Sequence, residues 1–340
     1  MPMMMRSACI GLHLVVTDRA SVNHRTVLLL RWGLFLTALV VLCARLAGYQ
    51  GREDLQHAFA EAWNSLHAAV VAGLVLLMFV NWSLEALKWR ALMHHLEPIR
   101  PARALLATFA GTTVGIITPN RVGEFAGRVL YLAPEHRLRG SAITLLGSLA
   151  QFAVTMALGA LAVGFARMDG AAAVVTGPAW TALVWATLAA GAAVLVLLLF
   201  PATLARLLSL VRWPHRIAAA LEGLGEVKRT LLWHVLFLSL LRYAVFTTQF
   251  VWLLHVLAGV DVLLGLLLVP VVFLITTWVP STAFTELGIR GSVIASVVPG
   301  DTAALLLVTA IIWAVNLMLP ALIGGIVLLC ARTPDDPAAP

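Results

Sequence analysis

Charge is scarce in this chain. Asp, Glu, Lys and Arg together make up 11% of 340 residues, less than half of the ~25% usual in soluble domains. Such a supply excludes a water-covered protein of this length, because two ordinary domains would need far more charge to coat their surfaces. Cysteine is also rare: Cys9, Cys43 and Cys330 are too few and too scattered for a disulfide framework or a thiolate metal site. His94 and His95 are adjacent, a poor spacing for two ligands on one helical face, so neither a metal nor another cofactor is expected. No ATP-binding motif occurs. The first 26 residues contain no signal-peptide apolar core followed by a cleavage site, so the first apolar run should remain as a helix.

Apolar residues are abundant, at 61% of the chain with a mean hydropathy of +0.96. Runs of ~20 apolar residues suffice to cross ~30 Å of hydrocarbon, and in lipid a helix satisfies its own backbone. Six such runs are expected to span, near 27–47, 66–87, 141–166, 179–200, 231–258 and 302–330. Lys and Arg then set the orientation, since cytoplasmic segments retain positive charge. With both termini cytoplasmic, fifteen basic residues fall inside and only Arg52 and Arg167 outside. The net charge of +7 therefore reflects membrane topology and not nucleic-acid binding. Residues 203–230 mix apolar and basic side chains and could lie along the inner leaflet, where anionic lipid attracts them, or form a plain cytoplasmic loop.

Two apolar stretches are broken by charge and proline at matching places, IITPNRVGEFAGR from Ile116 to Arg128 and WVPSTAFTELGIRG from Trp278 to Gly291. The charge bias holds only if 102–134 begins and ends in the cytoplasm and 262–299 begins and ends outside, which makes both stretches re-entrant hairpins. Residues 121–139 are too polar for a full span, and a second arm of 12 to 15 residues fits them better. Eight plain helices with charged ends remain the alternative. The predicted fold is an all-α polytopic membrane protein with six full transmembrane helices and two re-entrant helical hairpins arranged as an inverted repeat. Corresponding features lie 161 to 165 residues apart, and inverted repeats with broken helices are a transporter architecture. The domain division is a cytoplasmic segment 1–26, a single transmembrane domain 27–330 with halves 27–166 and 179–330, and a cytoplasmic tail 331–340.

The breaks carry the chemistry. Thr118 and Pro119 end the first arm, because proline has no amide proton and restricts the residue before it, and Gly123 permits a tight turn. In a helical second arm Glu124 and Arg128 are four residues apart on one face, and Arg121 sits at its start beside free backbone amides. Guanidinium groups and a helix N-terminus together suit a phosphate. Glu286 and Arg290 repeat the i, i+4 pair in the second break, with Ser281 beside its proline. The plainer reading is that both pairs are internal salt bridges fixing the hairpins. Glu85 and Lys88 could extend the site or form an interfacial pair with a snorkelling lysine. Arg242, mid-span in LSLLRYAVF, could bind a headgroup or serve as a structural partner for Glu124 or Glu286.

Several of these segments resemble the lysylphosphatidylglycerol synthase transmembrane region, also called the flippase-like integral membrane domain. They are Asn81 and Glu85 with LKWR (Leu87 to Arg90), FAGTTVGIITPNRVGEFAGR (Phe109 to Arg128), and the proline-started break with ELGIRG. The resemblance covers roughly 28–330 and implies a role in moving or handling lipids. Its best-known members are fused to a soluble aminoacyl transferase; only ARTPDDPAAP follows Cys330 here, so aminoacyl transfer is not expected of this chain alone. The second break departs from the family's glycine-rich form, so the resemblance bears on Glu124 more directly than on Glu286.

The expected function is that of a lipid translocase of the bacterial inner membrane, more a transporter than an enzyme. An anionic membrane-lipid headgroup is its expected partner, bound in a polar cavity between the hairpins. An integral-membrane transferase acting on a lipid carrier, with Glu124 or Glu286 as base, is one alternative. A non-transporting scaffold for a lipid-synthesis enzyme partner is another.

Overall fold

The computed structural model describes residues 52–330, apart from 117, 119–120, 169–177 and 280, and within them every regular element is helical. Helix α1, Arg52–Asn64, precedes the long α2, Ala68–Met93; α3, Pro101–Ile116, is followed after a break by the short α4, Gly123–Val129. Next come α5, Arg137–Met168, α6, Pro178–Leu199, and two short helices, α7, Pro201–Ser209, and α8, His215–Glu222. The second half contains α9, Arg229–Ala258, α10, Val262–Trp278, and α11, Ala283–Val297. Helix α12, Thr302–Trp313, continues through a π turn, Ala314–Met318, into α13, Leu319–Cys330.

Among the described residues, five helical runs are long and apolar enough to cross a membrane: α2, α5, α6, α9 and the continuous α12–α13. They coincide with five of the six expected spans. The sixth, 27–47, lies outside the described residues, as do the segments 1–26 and 331–340. The outward faces of these helices stay apolar, with Trp185 68% and Leu329 85% exposed. In water such faces would be a liability; against acyl chains they cost nothing. The protein is an integral, multi-pass membrane protein.

Both charged breaks form helical hairpins. In the first, α3 and α4 pack antiparallel through paired glycines four apart on each helix, Gly111 and Gly115 against Gly123 and Gly127. A Cβ on Gly127 would lie 2.7 Å from Gly111 Cα, and one on Gly123 would lie 2.5 Å from the Val114 carbonyl oxygen. Small residues at this spacing let helix backbones approach in a membrane. The second arm is 7 residues long, shorter than the 12 to 15 expected. Pro134 opens a separate 3-10 turn, Pro134–His136, and proline disfavours helical backbone just before it. The tight turn also differs from expectation: Arg121, at φ 57°, adopts the left-handed conformation, not Gly123. Gly123 is needed for close packing.

The second hairpin, α10 and α11, is capped by side chains. Asp261 accepts from the Leu263 and Leu264 amides to start α10, and Thr282 and Thr285 form a reciprocal capping box at the start of α11. These caps satisfy amides that a helix terminus leaves free. Helix α13 packs on α3, where Thr113 Oγ1 donates to the Ala321 carbonyl at 2.7 Å. Helix α9 packs on α2, with Gln249 Nε2 donating to the Leu74 carbonyl at 2.9 Å. Outside this bundle α7 and α8 are amphipathic. Leu207, Leu210, Val211 and Trp213 are exposed among Arg206, Arg212 and Arg216, and an Arg139–Glu226 ion pair ties the following turn to α5.

Candidate functional site

The site is organised by Glu85, on a buried face of α2. Its Oε1 receives Arg128 Nη1 at 2.6 Å, and its Oε2 lies 2.7 Å from Lys88 Nζ and 3.2 Å from Arg242 Nη1. One carboxylate thus faces three cations from α2, α4 and α9. Such a cluster is tolerable in a low-dielectric interior only because each charge is paired, since removing a buried ion from water costs several kcal/mol. Arg128 Nη2 also reaches Glu124 Oε2 at 3.0 Å, and Arg121 pairs with Glu124 from the other side. The ions form a chain, Lys88 and Arg242 to Glu85, then Arg128, Glu124 and Arg121.

A second pair faces this chain. Arg290 Nη2 meets Glu286 Oε1 at 2.5 Å on α11, and its guanidinium lies 5.7 Å from the Phe246 ring centre and 5.9 Å from that of Phe273. Arg242 sits 5.5 Å from the Trp82 ring centre. All these charged groups line one cavity of about 500 Å³, whose walls also include Gln151, Thr155, Thr276, Thr277 and Ser281. Five cations (Lys88, Arg121, Arg128, Arg242 and Arg290) face three carboxylates (Glu85, Glu124 and Glu286) there, which leaves two positive charges uncompensated within the cavity wall. Arg121, Arg128, Arg242 and Arg290 each retain a buried Nε–H without a hydrogen-bond acceptor. An unpaired buried donor costs about 1–3 kcal/mol. The excess positive charge of the cavity wall suits an oxygen-rich anion.

The residues singled out in the sequence divide into two groups. Arg121, Glu124, Arg128, Ser281, Glu286 and Arg290 come together around the cavity, although they belong to breaks about 160 residues apart. Thr118 and Gly123 are not among its lining residues. They hold the turn: Thr118 Oγ1 donates to the Gly115 carbonyl at 3.0 Å and accepts from the Gly123 amide at 2.8 Å. Pro119 lies outside the described residues. Lys88 is only 2% exposed and does not snorkel, because the Glu85 carboxylate holds it inward. Arg242 finds its carboxylate partner in Glu85, not in Glu124 or Glu286. Gln151 and Asn316 were missed, yet each is a polar interruption in an apolar run, SLAQFAV and WAVNLML, the signal that marks intramembrane function.

The family described as the lysylphosphatidylglycerol synthase TM region matches residues 32–326, nearly the whole chain and both hairpins. The chain belongs to this family. No curated protein matches it. As a lysylphosphatidylglycerol synthase transmembrane region, it is the membrane domain of a family whose name concerns a lipid, and its polar cavity lies among helices built to stand in lipid. The electrostatics differ along that cavity. Arg128 has both Nη groups engaged by carboxylates and is 6% exposed, whereas Arg121 is 30%, Arg242 22% and Arg290 14% exposed. Arg128 is therefore framework, and the more open arginines are the ones a ligand can reach.

Proposed function

We propose that this protein is a lipid translocase of the bacterial inner membrane, in which two re-entrant hairpins dip from opposite faces and form a central cavity for an anionic lipid headgroup. The observation that carries this reading is the meeting of both broken stretches around one cavity with net positive charge. Arg121 and Arg290 engage the phosphate, Arg242 adds to the positive field, and Glu85 and Glu124 hold the arginines in position through Arg128. Element lengths support re-entrance. At 1.5 Å per residue, α3 reaches ~24 Å, α4 ~10 Å and α11 ~22 Å, all short of the ~30 Å hydrocarbon core.

With 27–47 as the sixth span, each half of a single domain is two spans, a hairpin and one further span, related by a two-fold axis in the membrane plane, with both termini cytoplasmic. Rocking of the halves exposes the cavity to each leaflet in turn while the acyl tails remain in lipid. Glu124 and Glu286, the carboxylates a transferase would use as base, are each already bound to an arginine, which favours transport over group transfer.

The test is reconstitution in proteoliposomes with fluorescent phosphatidylglycerol, following loss of outer-leaflet signal on dithionite addition. Protein-dependent exchange is expected. Arg121→Ala and Arg290→Ala should each slow it by about tenfold or more, as expected for losing a charge-assisted contact. Exchange no faster than in protein-free vesicles, or untouched by both substitutions, would remove the assignment.

A further inference from the structure

Between the spans α6 and α9 the chain passes through α7 and α8. Only Phe200, at φ −122° and ψ 66°, separates α6 from α7, so the chain leaves the axis of the span as soon as the span ends. The Arg229 guanidinium lies 4.1 Å from the Phe200 ring centre, which brings the start of α9 to the same level. Aromatic and basic side chains collect at the boundary between membrane and water. One face of the segment is used for packing: Leu204 and Leu224 belong to a buried cluster with Ile143 and Leu146 of α5. A second face meets no protein. Leu207, Leu210, Val211 and Trp213 are exposed there, Leu210 at 79%, and Trp213 is fixed by its Nε1 donating to the Leu208 carbonyl at 2.8 Å. Arg206, Arg212 and Arg216 are exposed beside them, and among the described residues none of the three forms an ion pair.

Four apolar side chains in water would be a liability, and the nearest apolar phase is the leaflet that α6 has just left. The surrounding charge says which lipid that leaflet must hold. Residues 201–229 contain Arg206, Arg212, Arg216, Lys228 and Arg229 against Glu222 and Glu226, and Glu226 is already paired with Arg139. Such an excess of positive charge is drawn to an anionic membrane surface. Apolar residues that enter the acyl boundary, flanked by arginines that stay among headgroups, are the pattern of a helix lying in the interface. A soluble protein partner would have to compete with the leaflet for a face that the end of α6 already holds at its level.

We infer that α7 and the turn after it, through Trp213 and Arg216, form a docking surface for the anionic lipid of the inner leaflet. This surface is separate from the charged cavity and independent of what that cavity carries. Its consequence is positional. The segment joins α6 to α9 and is tied to α5 through Arg139 and Glu226, and α5 and α9 contribute Gln151 and Arg242 to the cavity wall. Docking therefore fixes the depth at which two cavity-lining helices meet the leaflet.

The test uses the full chain with Cys9, Cys43 and Cys330 replaced by Ser and a spin label attached through Leu210→Cys, in nanodiscs of phosphatidylcholine alone or with about one-third phosphatidylglycerol. Collisions with oxygen report immersion in lipid, and collisions with a water-soluble nickel complex report exposure. With phosphatidylglycerol present the label should be open to oxygen and shielded from nickel, and high salt should reduce the shielding. In phosphatidylcholine alone it should be open to nickel. Each basic residue near an anionic surface shifts docking about fivefold, so Arg206→Gln, Arg212→Gln and Arg216→Gln together should lower the docking equilibrium on the order of a hundredfold. Equal shielding in both lipids overturns the requirement for anionic lipid and the inference with it. A label open to nickel in both leaves the face to a soluble partner or a second copy of the chain, and overturns the leaflet as its occupant. Where the triple variant fails to fold, the comparison of the two lipids with all three arginines in place decides.

Discussion

Replacing Glu85 with Gln keeps the size and shape of the side chain and removes one charge from the centre of the ion chain. Three cations lose their common partner, at 2.6 Å for Arg128, 2.7 Å for Lys88 and 3.2 Å for Arg242. Each attraction amounts to about 4 kcal/mol at 4 Å for an effective dielectric constant of ~20, but most of that offsets the desolvation of the ions. The net loss on breaking a buried pair is about 3–5 kcal/mol, and with three partners stranded the upper end is expected. At ~2 °C per kcal/mol for a large chain, Tm in detergent should fall by ~6–10 °C. Glu226→Gln provides the contrast. It removes a carboxylate that is 65% exposed and paired with Arg139, and surface pairs contribute only about 0–1 kcal/mol. Differential scanning fluorimetry of both variants at one scan rate compares them. Equal, small shifts would refute the view that Glu85 organises the site. Adding Lys88→Met to Glu85→Gln should restore part of the loss by removing one stranded charge.

Three further outcomes are expected. Gly127→Ala puts a methyl group against Gly111 Cα and the Ala110 carbonyl and should cost about 1–3 kcal/mol of stability, whereas Gly164→Ala, with nothing within 4 Å of the new carbon, should leave Tm unchanged or higher. Arg121→Gly relieves a left-handed backbone that costs a non-glycine residue about 1–2 kcal/mol, so Tm should hold or rise while lipid exchange falls; a simultaneous loss of both would make Arg121 a structural residue. His95, in the turn after α2, has its pKa pushed below the usual histidine value, first by burial and then by the Arg139 charge. The fold therefore favours its neutral form. Its contribution is fully present above the ordinary histidine pKa of ~6.5 and is lost as pH falls through the lowered value. Tm measured from pH 7 to pH 5 should fall less steeply in His95→Gln, and an identical slope would refute this.

Much of the architecture was legible because lipid simplifies the problem. A run of twenty apolar residues has one low-energy backbone in hydrocarbon, so five of the expected spans fall on five helices. Charge inside an apolar stretch is costly enough to mark a site by its presence, which is how Arg121, Glu124, Arg128, Glu286 and Arg290 were found from the chain alone. The Glu124–Arg128 and Glu286–Arg290 pairs followed from helical spacing, a purely local property.

Partners distant in sequence were not legible. Nothing in the order of residues says that Glu85 gathers Lys88, Arg128 and Arg242, because that depends on how α2, α4 and α9 cross. Lys88 could equally have reached an interface, and Arg242 could have met a different acid. The left-handed turn at Arg121 likewise depended on how closely two glycine-lined faces approach. Spacing and polarity along the chain determined which segments cross the membrane and which residues are too polar to be idle; only packing decided which of them share a cavity, since ion pairing is set by distance in space and the chain specifies distance only over a few residues.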